Sequence, residues 1–219
     1  TIIGVAELSG FDHTAMTDRI EVASWACAAF ATNGKIFIKN ALQRDMMTFL
    51  NKYRQVGGMF EIKEDGIMFW RGSNLKAIAL ETDVHPGFMT DWQQPFTVVL
   101  TQLPGASIVH ETVYENRFGY VEALNSMGAH IQLFKDCLGG RHCRFGNMNH
   151  LHSAVVTGPT KLHAAEIQIP DIRAGFSYIV AALAAEGTSR ISNMHHIRRG
   201  YEDFENKLRA LGADFKKIA

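Results

Sequence analysis

Apolar residues recur at helical spacing in three separate stretches of the chain, and each stretch is framed in the same way. DRIEVASWACAAFATNG runs from Asp18 to Gly34, DWQQPFTVVLTQLPG from Asp91 to Gly105, and DIRAGFSYIVAALAAEG from Asp171 to Gly187. Counted from the aspartate, one stripe takes Ala23, Ala26, Cys27 and Phe30, the next Phe96, Val99, Leu100 and Leu103, and the third Phe176, Ile179, Val180 and Leu183. This spacing predicts one amphipathic helix, in one register, three times. The opening aspartate suits an N-cap and the closing glycine a C′ position of positive φ.

A short β-prone run follows each predicted helix: KIFIKN, ASIVHE and TSRISN. A second amphipathic helix then ends at Gly57, Gly128 or Gly212, with Phe49, Tyr53 and Val56, then Tyr120, Leu124 and Met127, then Phe204, Leu208 and Leu211 on its apolar face. MFEI with GIMFW and AHIQL with SAVV predict further strands, and the opening TIIGVAEL reads as a strand as well. Each unit is therefore strand, helix, strand, helix and a strand pair, which implies an α/β fold with parallel crossovers and a sheet covered by helices. The three units span approximately residues 1–85, 86–168 and 169–219. No Pro-, Gly- or Ser-rich linker separates them, so residues 1–219 read as one domain with pseudo-threefold symmetry. Only the second unit carries a long loop, KDCLGGRHCRFGNMNHLH, residues 135–152.

Composition narrows the function. Of 219 residues, 47% are hydrophobic, enough for a substantial core, and 22 basic residues balance 22 acidic ones. That balance argues against nucleic acid as a partner. No apolar run is long enough to cross a membrane and no basic segment leads an apolar one, so no membrane association and a cytoplasmic location are expected. Three cysteines fit a reducing compartment rather than a disulfide framework. A start at Thr1 within a predicted strand suggests a fragment or a processed product.

The candidate chemistry lies at the ends of the helices. Asp91 in PGFMTDWQQPF, with Gln94 after it and Pro95 in the first turn, reads as a helix N-cap. Arg117 and Arg199 stand at the same distance beyond the first glycine of their units, with Arg44 close to the equivalent place. Arginines beside helix N-termini favour a phosphate or a carboxylate. Cys137 and Cys143, with His142, His150 and His152, offer metal ligands. Their cysteines are spaced more widely than zinc usually requires, however, so the loop reads as a glycine-rich surface loop without a metal. Cys27, on an apolar stripe, reads as a packed core thiol.

The strings DRIE (18–21), PGFMTD (86–91), ETVYENRFGYVEALNSMGA (111–129), DIRA (171–174) and HIRRGYEDFENKLRALGA (196–213) resemble the C-terminal half of the enolpyruvyl transferases, over nearly the whole chain except the long loop. The resemblance implies an inside-out α/β barrel in which each of two domains is built from three βαβαββ units. It also implies an activity: transfer of the enolpyruvyl group of phosphoenolpyruvate to the 3-hydroxyl of UDP-N-acetylglucosamine, with release of phosphate and no cofactor or metal. Asp91 is then the general base, Arg199 the arginine that contacts phosphoenolpyruvate, and Arg117 and Arg173 members of the same anionic pocket with Asp171 beside them. Val113 matches a position whose backbone meets the sugar nucleotide. The family's nucleophilic cysteine and catalytic lysine belong to the missing N-terminal half, the other implied partner, so this chain alone is expected to be inactive. Met89 stands where the family usually has proline, and Arg198 where it commonly has aspartate. An enolpyruvyl transferase for another acceptor, or a non-catalytic nucleotide-sugar- or partner-binding domain of the same fold, stays open.

Overall fold

The computed structural model describes residues 1–140 and 143–218. In chain order the elements are α1 (Arg19–Ala31), β1 (Lys35–Lys39), α2 (Gln43–Gln55), β2 (Gly58–Lys63), β3 (Gly66–Arg71), β4 (Ala79–Glu81), α3 (Thr90–Thr101), β5 (Gly105–His110), α4 (Val121–Ser126), β6 (His130–Phe134), β7 (Ser153–Gly158), β8 (Glu166–Gln168), α5 (Ile172–Ala184), β9 (Arg190–Ser192), α6 (His195–Arg198) and α7 (Phe204–Ala210).

The three Asp-to-Gly stretches fold as α1, α3 and α5, and these helices pack against one another. They are more than amphipathic. Val22–Ala31, Trp92–Thr101 and Ala174–Ala181 are buried without interruption, so each helix is covered on every side over that span. A helix apolar all round belongs inside. The strands lie outside, with α1 packed on β1 and β3, and α3 on β5 and β7.

Strand pairing departs from the expected parallel sheet. β1, β3 and β2 form an antiparallel sheet in the order β1-β3-β2, with Ile38 opposite Ile67. A second sheet, β4-β5-β7-β6, has one parallel pair, β4 with β5, and antiparallel pairs elsewhere. β8 and β9 make a parallel ribbon. The helices α3 and α5 do make parallel crossovers, from β4 to β5 and from β8 to β9. The hairpin-like returns add the antiparallel strands, and the parallel expectation missed them.

Residues 1–18 form neither helix nor strand, which corrects the reading of TIIGVAEL. Ile2, Ile3, Val5 and Leu8 are exposed there with no strand alongside. β propensity becomes a strand only when a neighbour supplies the ladder.

Two aromatic clusters seal the helix contacts. Phe49 of α2 meets Tyr53, Phe88, Trp92 and Phe96 at ring-centroid distances of 5.6–6.2 Å. Trp25 of α1 meets Phe176 and Phe204, and Tyr201 lies 4.6 Å from Phe176. Each such side chain contributes about 1.5–3 kcal/mol by leaving water. The apolar stripes predicted for the second helices are buried except Leu211, which is exposed where α7 ends near the C-terminus.

The closing residues divide. Gly57, Gly105, Gly128, Gly187 and Gly212 have positive φ as expected, but after α1 the left-handed residue is Asn33 (φ 54°) rather than Gly34. Asparagine tolerates that region better than other side chains, and its use moves the chain reversal one residue earlier.

Candidate active site

Aspartates at equivalent places in sequence start α1, α3 and α5, but only two of them cap. Asp18 accepts from Ile20 N (2.8 Å), and Asp171 accepts from Arg173 N (2.7 Å) and Ala174 N (2.9 Å). α3 begins earlier relative to its aspartate. Met89 is its N-cap residue and Asp91 the second helical residue, with no capping bond, which corrects the N-cap reading. Pro95 accordingly lies inside the helix rather than in its first turn. Having no N–H, it leaves the Asp91 carbonyl without the usual helical bond. Met89 holds φ −66°, the value a proline would fix, so the helix entry keeps the geometry of the proline-containing motif.

Released from capping, the Asp91 carboxylate faces two guanidinium groups. Its Oδ1 accepts a hydrogen bond from Arg117 Nη2 and lies 3.6 Å from Arg173 Nε. The three side chains are 26%, 13% and 28% exposed, so solvent screens the cluster incompletely. Arg117 is held on two further sides. Its guanidinium sits 5.0 Å from the Tyr114 ring centre, and the Gln94 amide, oriented by its neighbours, places its oxygen 2.6 Å from Arg117 Nε. A cleft of about 390 Å³ opens beside this cluster, lined by Gln94, Tyr114, Asn116, Arg117, Tyr120 and Asp171 among others.

Glu111 organises the wall behind the cleft and was not singled out from the sequence. It is fully buried. Oε2 accepts from Thr90 Oγ1 (2.9 Å) and Gln93 Nε2 (3.1 Å), and Oε1 accepts from Val113 N (2.8 Å) and Tyr114 N (2.9 Å). Four donors offset the cost of burying a carboxylate. Gln93 continues the network through Tyr120, whose hydroxyl donates to Gln93 Oε1 (2.7 Å), while burial pushes the Tyr120 phenol well above its ordinary value. The available signal was a lone acid directly after the apolar run ASIVH and two glutamines within an apolar helix.

Val113 precedes Tyr114 on this turn, with its N–H bound to Glu111 and its carbonyl accepting from Arg144 of the long loop. Arg199 stands apart from Asp91. It is exposed just after α6, and among the described residues its side chain has no hydrogen-bond or ion-pair partner. Arg44 is exposed and paired with the neighbouring Asp45 at 3.7 Å. Arg198, the departure from the family string, is neutralised locally by Glu205 at 2.6 Å. Cys27 is buried and burial pushes its thiol up, which makes it a core residue. In the long loop the structure gathers Cys137, Cys143 and His152 around His110 of β5, a residue absent from the sequence-based ligand set. His142, named in that set, lies outside the described residues.

A profile of EPSP synthase (3-phosphoshikimate 1-carboxyvinyltransferase) matches residues 1–208. The chain belongs to this family. Among its relatives, the UDP-N-acetylglucosamine 1-carboxyvinyltransferase of Protochlamydia amoebophila is 54% identical over 218 residues, covering 99% of this chain and 47% of the relative. The protein of the same name from Chlamydia trachomatis serovar D is 49% identical over 214 residues, covering 97% and 48%. The chain thus spans about half the length of the curated relatives it matches. Among solved structures, the enolpyruvyl transferase NikO from Streptomyces tendae superposes with a TM-score of 0.76 at 24% identity, over 93% of this chain and 45% of that one. The fold is that of an enolpyruvyl transferase domain.

Proposed function

We propose that the chain is the C-terminal half of a UDP-N-acetylglucosamine 1-carboxyvinyltransferase that acts in the cytoplasm in peptidoglycan precursor synthesis. Its partners are phosphoenolpyruvate, UDP-N-acetylglucosamine and the other half of the same protein. The observation that carries this reading is the release of Asp91 from capping and its placement between Arg173 and Arg117, the latter lining a cleft. High identity to relatives of that name supports it.

In the proposed reaction the sugar 3-hydroxyl oxygen bonds to the enolpyruvyl carbon, the hydroxyl proton goes to Asp91, and phosphate leaves. A hydroxyl is a poor nucleophile, and a carboxylate within hydrogen-bond reach lowers the barrier by accepting its proton as the bond forms. Arg117 and Arg173 occupy Asp91 in the free chain, yet guanidinium groups pair equally well with phosphate and carboxylate. An arriving anionic substrate therefore competes for both arginines and frees the base where it is needed. Arg199, exposed and uncommitted among the described residues, completes the anion pocket when the two halves close and exclude water. In this reading the Val113 backbone faces the sugar nucleotide, Asp171 lies beside the arginines of the anion pocket, and no cofactor takes part.

The test uses the full-length enzyme with both substrates and a phosphate-release assay. Asp91→Asn is expected to lower kcat by about 10²–10⁴-fold. Arg117→Ala and Arg173→Ala are expected to raise KM for phosphoenolpyruvate. Turnover by Asp91→Asn within a few-fold of the parent enzyme would overturn the assignment.

A further inference from the structure

The long loop closes over β5 in a way that serves no part of the proposed reaction. Cys137 and His152 come from its two ends and Cys143 from its middle, and His110 is the last residue of β5, opposite Ser153 of β7. One ligand atom from each of the four lies within 4.8 Å of all the others, and Cys137 Sγ is 3.3 Å from His152 Nε2. Bond lengths of about 2.3 Å to sulfur and 2.0–2.1 Å to nitrogen put the corners of a tetrahedral zinc site about 3.3–3.8 Å apart. The four atoms already approach that size.

The surroundings of the histidines point the same way. His110 is fully buried, and among the described residues its Nε2 has no hydrogen-bond partner. A buried ring nitrogen left unsatisfied is costly and calls for an explanation. Its other nitrogen, Nδ1, lies 3.4 Å from Glu81 Oε2, so with the proton on Nδ1 the Nε2 lone pair is the one left to bind an ion. His152 is oriented likewise, with Nδ1 2.9 Å from the His150 carbonyl and Nε2 toward Cys137. Ligating histidines are held by a carboxylate or carbonyl on the far nitrogen in this manner. Glu81 also accepts from Gly140 N (2.9 Å), which ties the loop to the same carboxylate. A Cβ at Gly139 would stand 1.9 Å from His110 Nδ1, so the backbone there is closed against the ring.

We propose that His110, Cys137, Cys143 and His152 form a structural zinc site that clamps the 135–152 loop to β5. Two thiolates and two imidazoles suit zinc above the harder divalent cations, and four protein ligands leave no position for catalysis. On binding, the thiols of Cys137 and Cys143 release their protons to solvent, and the two negative charges neutralise the ion. The clamp reaches the active-site wall, because Arg144 in the loop donates to the Val113 carbonyl and pairs with Glu115 at 2.8 Å.

The test takes the full-length protein, purified under reducing conditions, and measures bound zinc by elemental analysis and cobalt(II) uptake by absorption. The expected result is one zinc per chain, together with the intense visible bands and thiolate charge-transfer band of a tetrahedral cobalt site. Cys137→Ser with Cys143→Ser, and separately His110→Ala, should lose both. Glu81→Gln should weaken affinity about 10–100-fold. His150→Ala, whose ring faces Asn116 instead, should bind as the parent does and serves as the folding control. The proposal is overturned if the reduced parent protein takes up neither zinc nor cobalt, if the double cysteine variant binds as well as the parent, or if mass analysis of freshly purified protein finds a Cys137–Cys143 disulfide.

Discussion

The starts of α3 and α5 use the same residue in different ways. Asp171 precedes its helix and spends an oxygen on two backbone N–H groups, while Asp91 stands inside its helix and spends an oxygen on two arginines. The difference is a shift of the helix start toward the N-terminus, with Met89 entering at a proline-like φ. It shows that one carboxylate at one sequence position turns to backbone donors or to arginines according to where the first helical turn begins.

Several substitutions would break or sharpen this contrast, beyond the kinetic loss expected for Asp91→Asn. The largest effect on stability should come from Glu111→Ala, which strands four donors behind the α3 start. A cost of about 3–5 kcal/mol is expected in chemical denaturation, as for other buried charge networks that lose one member. An intact midpoint would show that water replaces the carboxylate. At the α5 start, Asp171→Ala should cost about 1 kcal/mol, whereas Asp171→Asn, which still offers a side-chain oxygen, should cost little. At Asp91 the order differs: Asn and Ala should both lower kcat by about 10²–10⁴-fold, because neither accepts the proton. If Asp91→Asn instead destabilised the protein as Asp171→Ala does, the two starts would be alike after all.

Alkaline titration probes the packing around α5. Tyr178 of α5 and Tyr201, which packs against Phe176, have phenols pushed up to about 12 by burial. Their folded-state values lie above the unfolded one of about 10, so their contribution is intact below pH 10 and is lost as pH rises toward 12. Stability measured across that window should fall, and Tyr201→Phe should flatten the fall. The smallest effect is expected from Met89→Pro, which should change stability by less than about 1 kcal/mol because the native φ already suits proline.

Much of the fold was legible because three units repeat one pattern. The Asp and Gly punctuation located α1, α3 and α5, and KIFIKN, ASIVHE and TSRISN became β1, β5 and β9. What the pattern could not supply was partnership. A β-prone segment such as TIIGVAEL does not reveal whether a strand lies beside it, and alternation of elements does not distinguish a parallel return from an antiparallel one. The amphipathic stripes understated burial, since small residues such as Ala28 and Ala29 are polar-neutral in a pattern but core in the structure. In the site, Asp91 and Arg117 were nameable from motifs, and the fold brings them together with Arg173. Their contacts depend on a helix that starts at Thr90, whereas Gln94 and Pro95 in the sequence suit a start after Asp91. Glu111 and His110 escaped notice because each gains its meaning from residues brought near only by folding.

The bonds of Glu111 also bear on how the protein moves. By joining Thr90 and Gln93 at one side of the cleft to Val113 and Tyr114 at the other, this single carboxylate makes the segments carrying Asp91 and Arg117 a rigid lever. Closure against a second domain would swing both as one piece, so the entropy of aligning Asp91 with Arg117 is already spent before any ligand arrives.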